Sequence, residues 1–110
     1  MIRVHIKRDS RQRIEELTIS GHADFAEHGK DLVCAGVSAV AFGALNAVEV
    51  LTGVNLSVEQ GDDGGFLHVL VPKNASQEDF EKAQLLLEGM VVALQTIESS
   101  YGEYINIHFH

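Results

Sequence analysis

Apolar and polar residues alternate from the start of the chain: Ile2, Val4 and Ile6 are separated by Arg3, His5 and Lys7. A period of two sends the two sets to opposite sides of the backbone, so a half-buried strand is expected here. Arg8 to Gln12 is a polar turn, and Arg13 to Ser20 reads as the returning strand. In that return Ile14 is out of phase with Leu17 and Ile19, which implies a bulge near Glu15-Glu16 or a strand that begins only at Glu16. The chain leaves the sheet at Gly21. No period holds between Ala23 and Lys30, and with glycine at both ends a mobile surface loop is expected. Cys34 to Thr52 reads as a helix, apolar on nearly every face and therefore expected as a buried central helix. Gly53 is its natural stop.

Val54, Leu56 and Val58 alternate with polar residues and predict a third strand, followed by a turn at Gln60-Gly61-Asp62-Asp63-Gly64-Gly65. Phe66 to Val71 is apolar except for His68, which suits a strand interior to the sheet, and Pro72 ends it. Ser76-Gln77-Glu78-Asp79 has the form of a capping box with Asp in the reciprocal place. The stripe Phe80, Ala83, Leu87, Met90, Val91, Leu94 and Ile97 has helical spacing and needs only core packing to explain it. Ile105, Ile107 and Phe109 predict a last strand. The order ββαββαβ defines an α+β fold, a mixed sheet packed with two helices, in a single domain over residues 1–110.

Composition narrows the function classes. The chain has 110 residues, 45% of them hydrophobic, enough for one core without staples. The first residues lack the apolar block of a signal peptide. Val33 to Leu51 is interrupted by Asn46 and Glu49, so a core helix is expected rather than a membrane span. A single cysteine fits a reducing compartment, and the cytoplasm is the expected location. The formal charge of −8 argues against direct nucleic-acid binding. Arg3, Lys7, Arg8, Arg11 and Arg13 gather near the N-terminus, but as the solvent side of a hairpin mixed with Asp9 and Glu15. An acidic surface suits either a basic partner or plain solubility.

The candidate chemistry sits between Gly21 and Ser38. Cys34 falls at the expected helix start, where unpaired N–H groups and the helix dipole favour an anion and lower a thiol's pKa. His22 lies twelve positions earlier, across the loop, and Asp31 is near enough to orient or charge-balance its ring. A thiol, a base and an orienting carboxylate are the parts of a nucleophilic cysteine site. An inert thiol packed against an apolar helix is the competing reading. Ser38, one turn on, is a rival nucleophile without the second glycine of a nucleophile elbow; backward hydrogen bonding or packing suits it better. His5, His108 and His110 are expected on solvent-facing strand positions, and His68 as a hydrogen-bonded sheet histidine. His22, His28, Asp24, Asp31 and Cys34 match no usual metal-ligand spacing, so neither a metal nor a cofactor is expected.

Gly21-His22-Ala23 followed by Gly29-Lys30-Asp31-Leu32-Val33-Cys34-Ala35-Gly36-Val37-Ser38-Ala39 resembles the ribosomal-processing cysteine protease family, Prp. The likeness continues through Phe42-Gly43, Asn46, Gly64-Gly65 and Leu94-Gln95-Thr96-Ile97, and so covers nearly the whole chain. It implies a cytoplasmic thiol protease of ribosome biogenesis that removes the N-terminal extension of large-subunit ribosomal protein twenty-seven. It also implies a homodimer of α+β subunits, with Cys34 as nucleophile, His22 as base and Asp31 at the acidic motif position. A flexible loop over the site would correspond to Ala23–Lys30. On this reading the first-turn N–H groups of the Cys34 helix would hold the oxyanion. Gly21, Gly36 and Ser38 would orient the substrate or leave room for it. Two rivals remain from the residues alone: a non-catalytic ribosome-assembly binding module, and another thiol hydrolase or acyltransferase. Fast alkylation of Cys34 near pH 6 would argue against the first, and a panel of peptide and thioester substrates would separate the second.

Overall fold

The computed structural model describes residues 1–27, 31–62 and 64–110. His28, Gly29 and Lys30 of the expected loop, and Asp63 of the expected turn, lie outside them. The initial alternation forms β1 (Ile2–Arg8), which buries Ile2, Val4 and Ile6 and turns Arg3 and Lys7 to solvent. It pairs antiparallel with β2 (Ile14–Ser20), Val4 opposite Ile19 and Ile6 opposite Leu17. The register slips between Lys7 and Arg8: Lys7 faces Glu16 while Arg8 faces Ile14. Glu15 is the extra residue, and this bulge lets Ile14 share the buried face with Leu17 and Ile19.

The first helix, α1, runs Leu32–Thr52 and starts two residues before the sequence pattern implies. The reason is Asp31, whose extended backbone and side chain cap the helix. Gly53 ends it in the left-handed region at φ 74°, its N–H bonded to the Glu49 carbonyl at 3.0 Å. Burial on nearly every face is not what is found. Val33, Val37, Ala41, Leu45 and Val48 form one buried stripe, while Val50 and Leu51 are exposed. The small apolar residues Ala35 and Ala39 raise the apolar content of α1 yet are exposed. By length and composition alone α1 is long and apolar enough to cross a membrane; its buried stripe instead joins the core cluster.

The third strand, β3 (Ser57–Gln60), is shorter than expected. Val54 and Leu56 are buried, but the Val54 N–H is held by Thr52 Oγ1 at 3.1 Å, so this stretch belongs to the turn off α1. The fourth strand, β4 (Phe66–Leu70), pairs antiparallel with both β3 and β2. The second helix, α2 (Gln77–Tyr101), begins at Ser76, whose hydroxyl accepts from the Asp79 N–H. The last strand, β5 (Ile105–Phe109), lies parallel to β1 with Ile2 opposite Ile105. The sheet order is β3-β4-β2-β1-β5, a mixed five-stranded sheet, and the buried stripes of both helices join its apolar face in one cluster. Gln84, buried on α2, grips the bulge: its amide donates to the Ile14 carbonyl at 2.7 Å and its oxygen accepts from the Ile14 N–H at 2.8 Å.

Three ends meet on one rim of the sheet. β1 starts there, β2 finishes there and β4 starts there, and hydrogen bonds tie them together: Gly21 N–H to the Gly65 carbonyl at 2.9 Å, and the Met1 nitrogen to the His22 carbonyl at 2.6 Å. On the far side of the sheet His68 bonds Glu16 at 2.8 Å, as expected for a paired sheet histidine. His5 stacks beside His108 and His110, ring centroids 5.0 Å away in both cases.

Candidate active site

Cys34 is the third residue of α1, so its position follows from where Asp31 starts the helix. Asp31 Oδ1 accepts from the N–H groups of Val33 and Cys34, both at 3.0 Å. Its other oxygen accepts from Phe25 at 2.9 Å and Ala26 at 3.4 Å. One carboxylate therefore both caps the helix and ties the segment after β2 to it. The Phe25 ring packs on Tyr101 and Tyr104, with centroids 5.8 and 5.1 Å away. Ala23 is 3% exposed, and its N–H donates to Cys34 Sγ at 3.2 Å. The described part of the expected surface loop, residues 23–27, is accordingly pinned against α1 and α2.

A cavity of about 470 Å³ opens at this point. Gly21, His22, Asp31, Cys34 and Ser38 line it, so the fold collects five of the six residues singled out in the sequence. Gly36 is the sixth and lies elsewhere: a Cβ there would sit 3.9 Å from Ile97 Cδ1, on the side facing α2. Ile2, Ile19, Val37, Phe42, Phe66 and Leu67 supply apolar wall. Gly21 cannot be exchanged cheaply. Its φ is +88°, and a Cβ would lie 2.4 Å from the Met1 carbonyl oxygen.

The electrostatics depart from the sequence expectation. Burial pushes the Cys34 thiol above its ordinary value; the Ala23 N–H opposes this, while the Asp31 and Asp24 carboxylates reinforce it. The first-turn N–H groups are not directed at the sulfur: those of Val33 and Cys34 bond the Asp31 side chain and that of Ala35 the Asp31 carbonyl. Asp31 accepts from main-chain N–H groups with both oxygens in this arrangement. Burial alone would raise its carboxyl, but the N–H groups of Cys34, Phe25, Ala26 and Val33 outweigh it and hold the group below its usual range. Among the described residues no group of three or more His, Cys, Asp or Glu is arranged to hold a metal ion; His28 lies outside them. Sequence reasoning missed Ala23 and Met1, because both act through main-chain atoms that residue type does not reveal.

A half-buried thiol sharing an apolar cleft with an imidazole, at the rim of an α+β sheet, is the arrangement of a thiol-dependent hydrolase. The profile of the family described as cysteine protease Prp matches residues 1–106. The ribosomal processing cysteine protease Prp of Bacillus subtilis (strain 168) is 48% identical over 107 residues, covering 97% of this chain and 96% of that one. The protein of the same name from Staphylococcus aureus (strain Mu50) is 38% identical over 109 residues, covering 99% of both. Among solved structures, the essential ribosomal processing protease Prp from S. aureus with a covalently linked product peptide superposes with a TM-score of 0.91. Its identity is 39%, with both chains fully covered. The same protein with a substrate peptide gives a TM-score of 0.84 at 37% identity, again over both whole chains. The chain belongs to the Prp family of cysteine proteases.

Proposed function

We propose that the protein removes the N-terminal extension of large-subunit ribosomal protein twenty-seven, with Cys34 as nucleophile and His22 as base and then acid. The observation that carries this is the shared cavity: the one thiol of the chain and His22 line the same cleft beside apolar wall suited to an extended peptide. His22 accepts the Cys34 proton as the peptide docks, and the sulfur attacks the scissile carbonyl. A C–S bond forms, the C–N bond breaks, and the imidazolium gives its proton to the departing amine. Water, deprotonated by His22, then hydrolyses the thioester and frees the thiol. Negative charge at the sulfur falls to the Ala23 N–H at 3.2 Å, rather than to the first turn of α1. That contact supports the thiolate before attack; as the C–S bond forms, the negative charge passes to the carbonyl oxygen of the substrate.

Burial and the neighbouring carboxylates favour the protonated thiol, so His22 must take its proton for the sulfur to attack. The reading also makes the enzyme cytoplasmic, where ribosomes mature and a lone thiol stays reduced. It makes it a homodimer too, with exposed apolar residues such as Leu85 and Val92 of α2 available for the contact. The test is incubation with the extended ribosomal protein and measurement of product masses. One cut that releases the extension is expected; intact substrate after long incubation would overturn the assignment.

A further inference from the structure

We propose that Met1 is a positioning residue for His22, acting through its main-chain nitrogen and carbonyl; the proposal rests on His22 being the base. The Met1 nitrogen donates to the His22 carbonyl at 2.6 Å and lies 3.8 Å from Asp24 Oδ2. The Met1 carbonyl packs so closely on Gly21 that no side chain fits between them. Met1 therefore bears on the residue before His22, on His22 itself and on Asp24 beyond it.

Met1 is fixed in turn by the sheet. The Ile2 N–H bonds the Tyr104 carbonyl at 2.8 Å, Ile2 pairs with Ile105, and Asn106 Nδ2 donates to Met1 Sδ. The neighbours of His22 have separate anchors, Gly21 N–H on Gly65 and Ala23 N–H on Cys34 Sγ. The His22 carbonyl is the point at which Met1 holds the main chain from which the imidazole projects. Reacting groups displaced by about 1 Å can lose about a hundredfold in rate.

The test compares three chains released from an amino-terminal fusion by a protease that leaves no residue behind: the intact sequence, Met1→Ala, and a chain beginning at Ile2. All are assayed on a peptide substrate well below the lowest melting temperature. Met1→Ala keeps the main-chain atoms and is expected to keep kcat within about threefold. The chain lacking Met1 is expected to lose about tenfold or more in kcat with KM within about threefold. Equal kcat for the intact and shortened chains would overturn the proposal, as would an equal loss in Met1→Ala, which would move the role to the thioether. If the shortened chain does not fold, Gly21→Ala serves instead, since it displaces the Met1 carbonyl; unchanged kcat there would also overturn it. His22→Ala separates the two readings. Turnover by that variant refutes the base assignment, whereas an inactive His22→Ala beside a fully active shortened chain refutes the Met1 proposal alone.

Discussion

Asp31 governs the thiol more than any other single side chain. Its four N–H contacts keep it ionised, and that charge, added to burial, holds Cys34 protonated in the peptide-free protein. Alkylation of Cys34 by iodoacetamide is therefore expected to keep accelerating with pH, with a midpoint above the ordinary thiol value of about 8.5. In Asp31→Asn the midpoint should fall; a midpoint near 6 in the unmodified protein would match the lowered thiol expected from the sequence and contradict the raised one found in the structure. Because the folded carboxyl titrates below its unfolded value, its contribution to stability is complete above about pH 4 and disappears as pH drops through the folded value. Asp31→Ala should cost about 1–2 kcal/mol at pH 7 in denaturant melts, as loss of a helix cap does. That difference should narrow in acid. The sequence made Cys34, His22 and Asp31 legible as a group because residue type and spacing carry that chemistry. It could not reveal that Asp31 holds Phe25 and Ala26, nor that Ala23 faces the sulfur, since main-chain direction is set by the assembled rim.

Among the elements, strands and caps were the more readable. Period two located β1, the phase slip in β2 announced the Glu15 bulge, and Ser76 and Gly53 marked helix ends. α1 misled, because an exposed valine or leucine reads the same as a buried one in a pattern. Val48 and Val50 state the difference directly, one fully buried and the other 81% exposed. Val48→Ala should cost about 2 kcal/mol, and Val50→Ala less than about 0.5 kcal/mol. Equal costs in parallel melts would contradict the placement of the helix. Gln84 carries the bulge from outside the sheet, and Gln84→Leu would strand the Ile14 N–H and carbonyl in the interior. A loss of about 2 kcal/mol or more is expected from that change.

At the scale of the whole molecule, the topology explains why one rim is the site. β1, β2 and β4 all present an end there, and α1 delivers Cys34 to the same place. The net charge of −8 gives a further handle on the substrate. A basic ribosomal protein should be drawn to the surface electrostatically, so KM should rise between about 0.05 and 0.5 M salt while kcat holds. A KM indifferent to salt would remove charge from the account of substrate capture. Sedimentation equilibrium should give twice the chain mass of 12.0 kDa; a monomer at assay concentration would remove the dimer from the reading.

The central claim is that Cys34 carries the acyl group. Acid quenching during turnover, followed by tryptic mass mapping, reads it directly. The account predicts that the peptide containing Cys34 gains the mass of the acyl fragment, that the gain is absent in His22→Ala, and that Cys34→Ala forms no product. Product at the normal rate from Cys34→Ala, or an adduct on any other residue, would contradict it.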